Sequence, residues 1–170
     1  MATPEPAREE IFLPGGQLCL SCVSESTLQV LQESLRLARE TRWDTVRSPH
    51  VFMGLLSVPD PGVRTWGVRL QADLNSLLGQ FQELFHQDEG DSKALLMLNR
   101  EFLSDNVIHL LRDAHARARE HRRSHVTPMD LLIILLTSGS VVAECFERAG
   151  FRAAKLTELA VLAEQESSRS

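Results

Sequence analysis

Cys19 and Cys22 stand two residues apart in LCLSC, a spacing used by both metal sites and redox pairs. A structural zinc site needs four ligands. The only further cysteine is Cys145, with nothing of a zinc pattern beside it. His121 and His125 have an H-x3-H spacing but fall about a hundred residues further on. Dithiol catalysis of the thioredoxin type calls for a βαβ context, which this sequence lacks. The pair is therefore expected to be small buried thiols, with no metal and no cofactor. His109, His115, His121 and His125 share one stretch and His86 stands alone. None joins a Ser or Cys nucleophile and a carboxylate in a recognisable triad, so no catalytic residue is expected and the chain reads as a non-enzyme. HARAREHRRSH is locally basic, but its spacing suits a solvated helix face. The net charge of -5 counts against nucleic acid as the partner.

The elements that carry these residues are written twice. At a constant shift of 80 residues, Ser24–Leu56 lies over Ser104–Leu136 without a gap. Ser24/Ser104, Leu31/Leu111, Ala38/Ala118, Arg39/Arg119, Val46/Val126 and Leu56/Leu136 are identical pairs. A repeat this long is one structural unit built twice. Ser24 and Ser104 each open a helix as a cap, followed by Glu25 or Asp105 at its positive end. Leu28, Leu31, Leu35 and Ala38 form the apolar stripe of the first copy; Val107, Leu111, Ala114 and Ala118 form that of the second. A polar connection follows, in which Val46 and Val126 plug equivalent places in the core. Pro49 and Pro128 suit a first helical turn. HVFMGLLS and MDLLIILLT are apolar nearly all round and too short to span a bilayer, so each is the buried central helix of its half.

Composition agrees with such a core. Hydrophobic residues make up 43% and charged ones 24% of 170 residues, while aromatics are only 5% and tyrosine is absent, which favours helices. Residues 1–23 read as a flexible N-terminal tail broken by Pro4, Pro6, Pro14, Gly15 and Gly16, with Ile11-Phe12-Leu13 a small apolar patch at best. The first repeat is assigned to 24–86, a linker to 87–103, the second repeat to 104–166 and a frayed tail to 167–170. Within the linker, HQDEGDSK is expected to be exposed, and ALLMLNREF to be helical and to add a turn before Ser104. The acidic N-terminus shows no secretory signal, and three cysteines do not make a disulfide framework. The expected location is the cytoplasm, with no membrane contact.

These residues resemble a known family. The order of Val23-Ser24, Ala38-Arg39, Val46 and His50-Val51-Phe52-Met53-Gly54-Leu55-Leu56 looks like one Clp N-terminal repeat. Leu103-Ser104, Ala118-Arg119, Val126-Thr127-Pro128 and Leu131 through Leu136 look like a second. Gly150-Phe151 is similar to the short element before a unit's last helix. The resemblance covers about 24–166. It implies an all-α fold of eight principal helices in two pseudo-two-fold-related four-helix Clp repeats. In Clp-type unfoldases this domain captures substrates or adaptors for an ATPase ring. No G-x4-G-K-[S/T] phosphate loop is present, and Lys93 and Lys155 lie outside any Gly-rich loop. The expectation is therefore the docking module alone.

Relatives that recognise phosphorylated arginine carry a Glu just before the His of the second helix. Pro49 and Met129 occupy those positions here, followed by His50 and Asp130. Pro and Met offer a guanidinium no carboxylate fork, so no such site is expected. Groove binding of an apolar or amphipathic segment survives these changes. Partner contact is assigned to Ser24, Trp43, Pro49, His50, Ser104, Met129 and Asp130. Trp43 is open both to an interface role and to folding back over its own helix end; Trp66 is expected in the core. The partners implied are protein or peptide segments, including a Clp ATPase or its adaptor, met by a monomer or weak dimer. The chain would then be an adaptor, an accessory subunit or a competitor. The alternative is a self-associating structural or regulatory protein unrelated to proteolysis.

Overall fold

The computed structural model of the chain describes residues 10–90, 95–137 and 140–168. The described residues form eight α-helices, joined by turns and short extended segments. The first four are α1 (Glu25–Glu40), α2 (Ser48–Ser57), α3 (Pro61–Leu70) and α4 (Leu74–Phe85). The second four are α5 (Asp105–Glu120), α6 (Pro128–Leu135), α7 (Val141–Arg148) and α8 (Ala153–Ser168). The fold is all-α and two-fold repeated. No helix among the described residues is long and apolar enough to cross a membrane.

Local chemistry sets the helix ends. Ser24 Oγ accepts from the Thr27 N–H at 3.1 Å, and Ser104 Oγ from the Val107 N–H at 3.2 Å. Asp60 and Ser140 cap α3 and α7 in the same way. The C-termini of α1 and α5 are also twins. Arg42 (φ 67°) and Arg122 (φ 58°) turn left-handed. The Trp43 N–H then reaches the Ala38 carbonyl at 2.8 Å, and the Arg123 N–H the Ala118 carbonyl at 2.9 Å. This is a six-to-one Schellman closure built without glycine, and it aims Trp43 and Arg123 out of equivalent corners.

The halves are joined by exchange. The Ser24 N–H donates to the Val126 carbonyl at 3.0 Å and the Val126 N–H to the Cys22 carbonyl at 2.8 Å. Eighty residues on, the Ser104 N–H donates to the Val46 carbonyl at 3.0 Å and the Val46 N–H to the Phe102 carbonyl at 2.9 Å. Each repeat's entry strand is thus hydrogen-bonded to the other repeat's polar connection. Val46 and Val126 are buried beneath these bonds. The buried helices α2 and α6 touch at the centre, α4 covers α2, and α8 lies along α3 of the other half. Phe52, Trp66, Phe81 and Phe146 form one aromatic cluster drawn from both repeats. Trp66 is fully buried there and donates its indole N–H to the Leu156 carbonyl at 3.2 Å.

Three expectations are corrected. Residues 10–23 are not a tail: Ile11 (0% exposed), Phe12, Leu18, Cys19, Cys22 and Val23 belong to the core. The proline and glycines make a tight reversal in which the Leu13 N–H meets the Gln17 carbonyl at 2.7 Å, with Gly16 at φ 90°. Residues 1–9 lie outside the described part. In the linker, residues 86–89 are exposed as expected, and the chain is anchored at Gly90. Gly90 sits so close to the Arg42 carbonyl that a Cβ there would lie 1.6 Å from its oxygen. Residues 91–94, including Lys93, lie outside the described part. ALLMLNREF is helical only at its end: residues 95–98 hold no regular structure and bend at Leu98, and a 3-10 turn at Arg100–Phe102 supplies the expected turn before Ser104. The Leu18 N–H and the Arg100 N–H pair this segment with the arm through the Leu98 and Gly16 carbonyls, so tertiary pairing overrides local helix propensity. Finally, α8 continues through Ser168, past the boundary set for the tail, and Glu166 pairs with Arg69. Residues 169–170 lie outside the described part.

Candidate functional site, an inter-repeat cleft

The exchange of strands places the α1–α2 connection of the first repeat against the start of α5 in the second. Between them a cavity of about 140 Å³ opens, lined by Trp43, Arg47, Pro49, Phe85, Asn106 and Val141, with Ser48, His50 and Ser104 completing its walls. It continues into a second hollow of about 180 Å³ that shares Ser48, Asn106 and Val141 and reaches His109, Asp113 and Ile134. Four separate elements therefore supply one largely apolar cleft with a polar far end.

Trp43 is the fixed wall. Its indole N–H donates to the Phe85 carbonyl at 2.6 Å, which closes the free C-terminal end of α4. The Arg47 guanidinium lies 5.0 Å over its ring, a cation–π contact, and His50 packs edge-on at 5.6 Å. Trp43 thus folds over the helix end and lines the cleft at once; it is half-buried.

His50 is fully buried behind this wall. Its Nδ1 accepts from the Arg47 N–H at 2.9 Å. Thr41 donates its hydroxyl proton to the Leu37 carbonyl at 2.7 Å, so the contact at 3.0 Å requires His50 Nε2–H to donate to Thr41 Oγ1. Both ring nitrogens are spent in the neutral form. Burial, with the nearby Arg47 charge, lowers the imidazole pKa to about 4. Pro49 is buried beside it and contributes apolar floor. The Ser104 hydroxyl caps α5 at the rim.

The equivalent corner of the second repeat has diverged. Arg123 replaces Trp43, Asp130 replaces His50, Met129 replaces Pro49 and Gln165 replaces Phe85. Asp130 is fully buried. It accepts from the Thr127 N–H at 2.8 Å, from Arg117 at 2.7 Å and from Arg123 at 2.7 Å. Burial raises its pKa, but the hydrogen bonds from Arg123, Thr127 and Arg117 outweigh that and hold the carboxyl below the ordinary value. Arg117 also grips Glu164 through two bonds of 2.8 Å. Both guanidiniums are occupied by carboxylates, so the adjoining hollow of about 430 Å³ has an ionic wall rather than an apolar one. Met129 is buried with its thioether against Gly62.

The assigned residues therefore separate. Trp43, Pro49, His50 and Ser104 come together at the first cleft, with His50 in its supporting layer. Met129 lines the second hollow, and Asp130 lies in the ion network behind it. Ser24 lines none of these three hollows; its hydroxyl is engaged with Thr27 and Ser26 at the cap of α1. Arg47, Phe85, Asn106 and Val141 were not singled out from the sequence. Phe85 ends an amphipathic helix and Val141 follows a cap, so each looks ordinary alone. Among the described residues, no group of three or more His, Cys, Asp or Glu is placed to hold a metal ion.

No protein-family model matches this sequence, and neither does any curated protein. Solved structures do match. The N-terminal domain of the caseinolytic protease associated chaperone ClpD from Arabidopsis thaliana superposes with a TM-score of 0.66 at 17% identity. That match covers 88% of this chain and 99% of that one. The Hsp104 N-terminal domain from Candida albicans gives 0.65 at 14% identity, covering 82% and 89%. A structure from an investigation of a malarial protein secretion system gives 0.63 at 15% identity, covering 82% and 92%. The described chain, with its two strand-exchanged helical repeats, has the fold of a Clp N-terminal domain.

Proposed function

We propose that this chain is a non-catalytic docking module that holds a segment of a partner protein in the inter-repeat cleft. The observation that carries this reading is the convergence of Trp43, Phe85, Pro49 and Val141, from four separate places in the chain, on one open apolar hollow. Val141 remains 37% exposed, so the hollow is available from solvent. Apolar anchors in such a cleft bind a partner's side chains, while polar groups at the far end set register. Asn106, His109 and Asp113 are placed for that second task. The likeness to the N-terminal domain of ClpD, a caseinolytic protease associated chaperone, supports a protein or peptide as the ligand. An adaptor, accessory or competitor role beside a Clp-type ATPase, in the cytoplasm, is the finer form of this reading.

Val141→Asp tests it. Asp is favourable in the first turn of α7, so the variant is expected to keep its circular dichroism and thermal midpoint. Partners captured by the wild-type chain from lysate of its source are expected to be lost, and their dissociation constants to rise at least tenfold. An unchanged partner set on a folded Val141→Asp chain rules out this cleft as the docking surface.

A further inference from the structure

The cysteine pair is not absorbed by the docking function, and the fold gives it an arrangement that spacing alone does not. Cys19 is the N-cap of the 3-10 turn Leu20–Cys22, and Cys22 is its third residue. The Cys22 N–H donates to the Cys19 carbonyl at 3.0 Å, closing the turn. Cys19 Sγ lies 3.2 Å from Ser21 Oγ. A closed turn of this length holds its end Cα atoms within the span a disulfide needs. Both thiols are buried in the core, and the turn's outer residues Leu20 (57% exposed) and Ser21 face solvent. Cys145, the remaining cysteine, lies apart on α7.

We propose that Cys19 and Cys22 form a thiol–disulfide exchange site that closes to an intramolecular disulfide on meeting a small-molecule disulfide of the glutathione class. Cys19, whose sulfur has the Ser21 hydroxyl beside it at 3.2 Å, acts as the attacking thiol. Burial pushes its pKa up, but the Cys22 thiol, the Ser21 hydroxyl and the N–H groups of both residues prevail and hold it below the ordinary value. Cys19 gives its proton to solvent and its thiolate attacks one sulfur of the oxidant. The oxidant's S–S bond breaks, and one thiolate leaves and takes up a proton. Cys22, deprotonated in turn, attacks the Cys19 sulfur of the mixed disulfide and releases the second thiol. The chain loses two protons and two electrons, and the oxidant takes them up to become two thiols. The closed pair would clamp a junction: the Cys19 N–H holds the Ile11 carbonyl at 2.8 Å, and the Cys22 carbonyl holds the Val126 N–H at 2.8 Å. The N-terminal arm, the first repeat's entry and the second repeat's connection all meet there.

The test uses the folded full chain carrying Cys145→Ser, equilibrated across graded ratios of oxidised to reduced glutathione, acid-quenched, alkylated and mapped by mass. A single two-electron transition to a Cys19–Cys22 disulfide is expected, with circular dichroism retained and the thermal midpoint raised by about 5 °C. In a further Cys22→Ser variant, a glutathione adduct is expected to accumulate on Cys19. In a Cys19→Ser variant, Cys22 is expected to react at least tenfold more slowly. Two alkylatable thiols at every ratio, in a chain that oxidises only after unfolding in urea, would overturn the proposal. So would glutathione adducts that never resolve to the internal disulfide. Equal rates for the two single-cysteine variants would overturn the assignment of Cys19 as the attacking thiol.

Discussion

His50 and Asp130 occupy the same place in their repeats and solve the same problem, one neutral and the other ionised. Each must accept the N–H of the residue three before it, buried, at the start of a central helix. The imidazole does so neutral and the carboxylate does so ionised, because only the second has Arg117 and Arg123 beside it. A pH dependence follows from His50. Its folded pKa of about 4 lies below the ordinary 6.5. The unfolded chain therefore binds the proton first, and stability falls as pH drops from 6.5 towards 4. The loss is on the order of 3 kcal/mol for this group. Urea titrations at pH 7 and pH 4.5 measure it, and a His50→Asn variant, which has no such proton to bind, is expected to show a smaller difference. Phe12 gives a second residue-scale outcome. It is buried against the core, so Phe12→Ala is expected to cost about 3–5 kcal/mol by denaturant unfolding. A dispensable N-terminal tail would show no change.

At the scale of elements, the helices are spaced by what they lack. Gly54 lets α2 approach α1 so closely that a Cβ would stand 2.6 Å from the Val30 carbonyl oxygen. That oxygen is backbone and cannot swing aside, so Gly54→Ala is expected to destabilise by about 1–3 kcal/mol, read as a lower urea midpoint at unchanged slope. The opposite sign is expected at Arg122. It holds a left-handed turn at φ 58°, where a side chain is strained. Among the described residues its exposed side chain has no hydrogen bond or ion pair. Arg122→Gly is therefore expected to raise stability by up to about 1 kcal/mol. The same turn at Arg42 directs Trp43, which links this small backbone feature to the cleft.

For the molecule as a whole, the hydrogen-bonded exchange between Val23 and Val126 and between Val46 and Leu103 makes each repeat incomplete alone. The aromatic cluster adds to this, since Phe146 of the second half packs on Phe52, Trp66 and Phe81 of the first. Residues 10–90 expressed by themselves are expected to show helical circular dichroism without a cooperative thermal transition. Mixing with residues 95–168 is expected to restore the transition. The repeat thus sets two equivalent corners, and substitution has made them unlike: one is an apolar cleft and the other an ion network.

The amino-acid sequence alone determined the helices, their caps, the duplication and the buried centre, because each rests on periodicity and end chemistry within a few residues. Ser24 and Ser104, Val46 and Val126, and the apolar segments of α2 and α6 were legible for that reason. Tertiary structure decided the remainder. Ile11 and Phe12 are core because a reversal at Gly16 returns the chain onto Leu98, a partner roughly 80 residues away in sequence. Residues 95–98 are not helical because the arm pairs with this stretch through the Leu98 carbonyl and the Arg100 N–H. Trp43, Phe85, Asn106 and Val141 become one site only where four chain segments converge, and burial separated Asp130 and His50 from solvent although both begin a helix. Pattern within one element reports which face is apolar; which distant segment will cover that face is fixed by the packing of the whole chain.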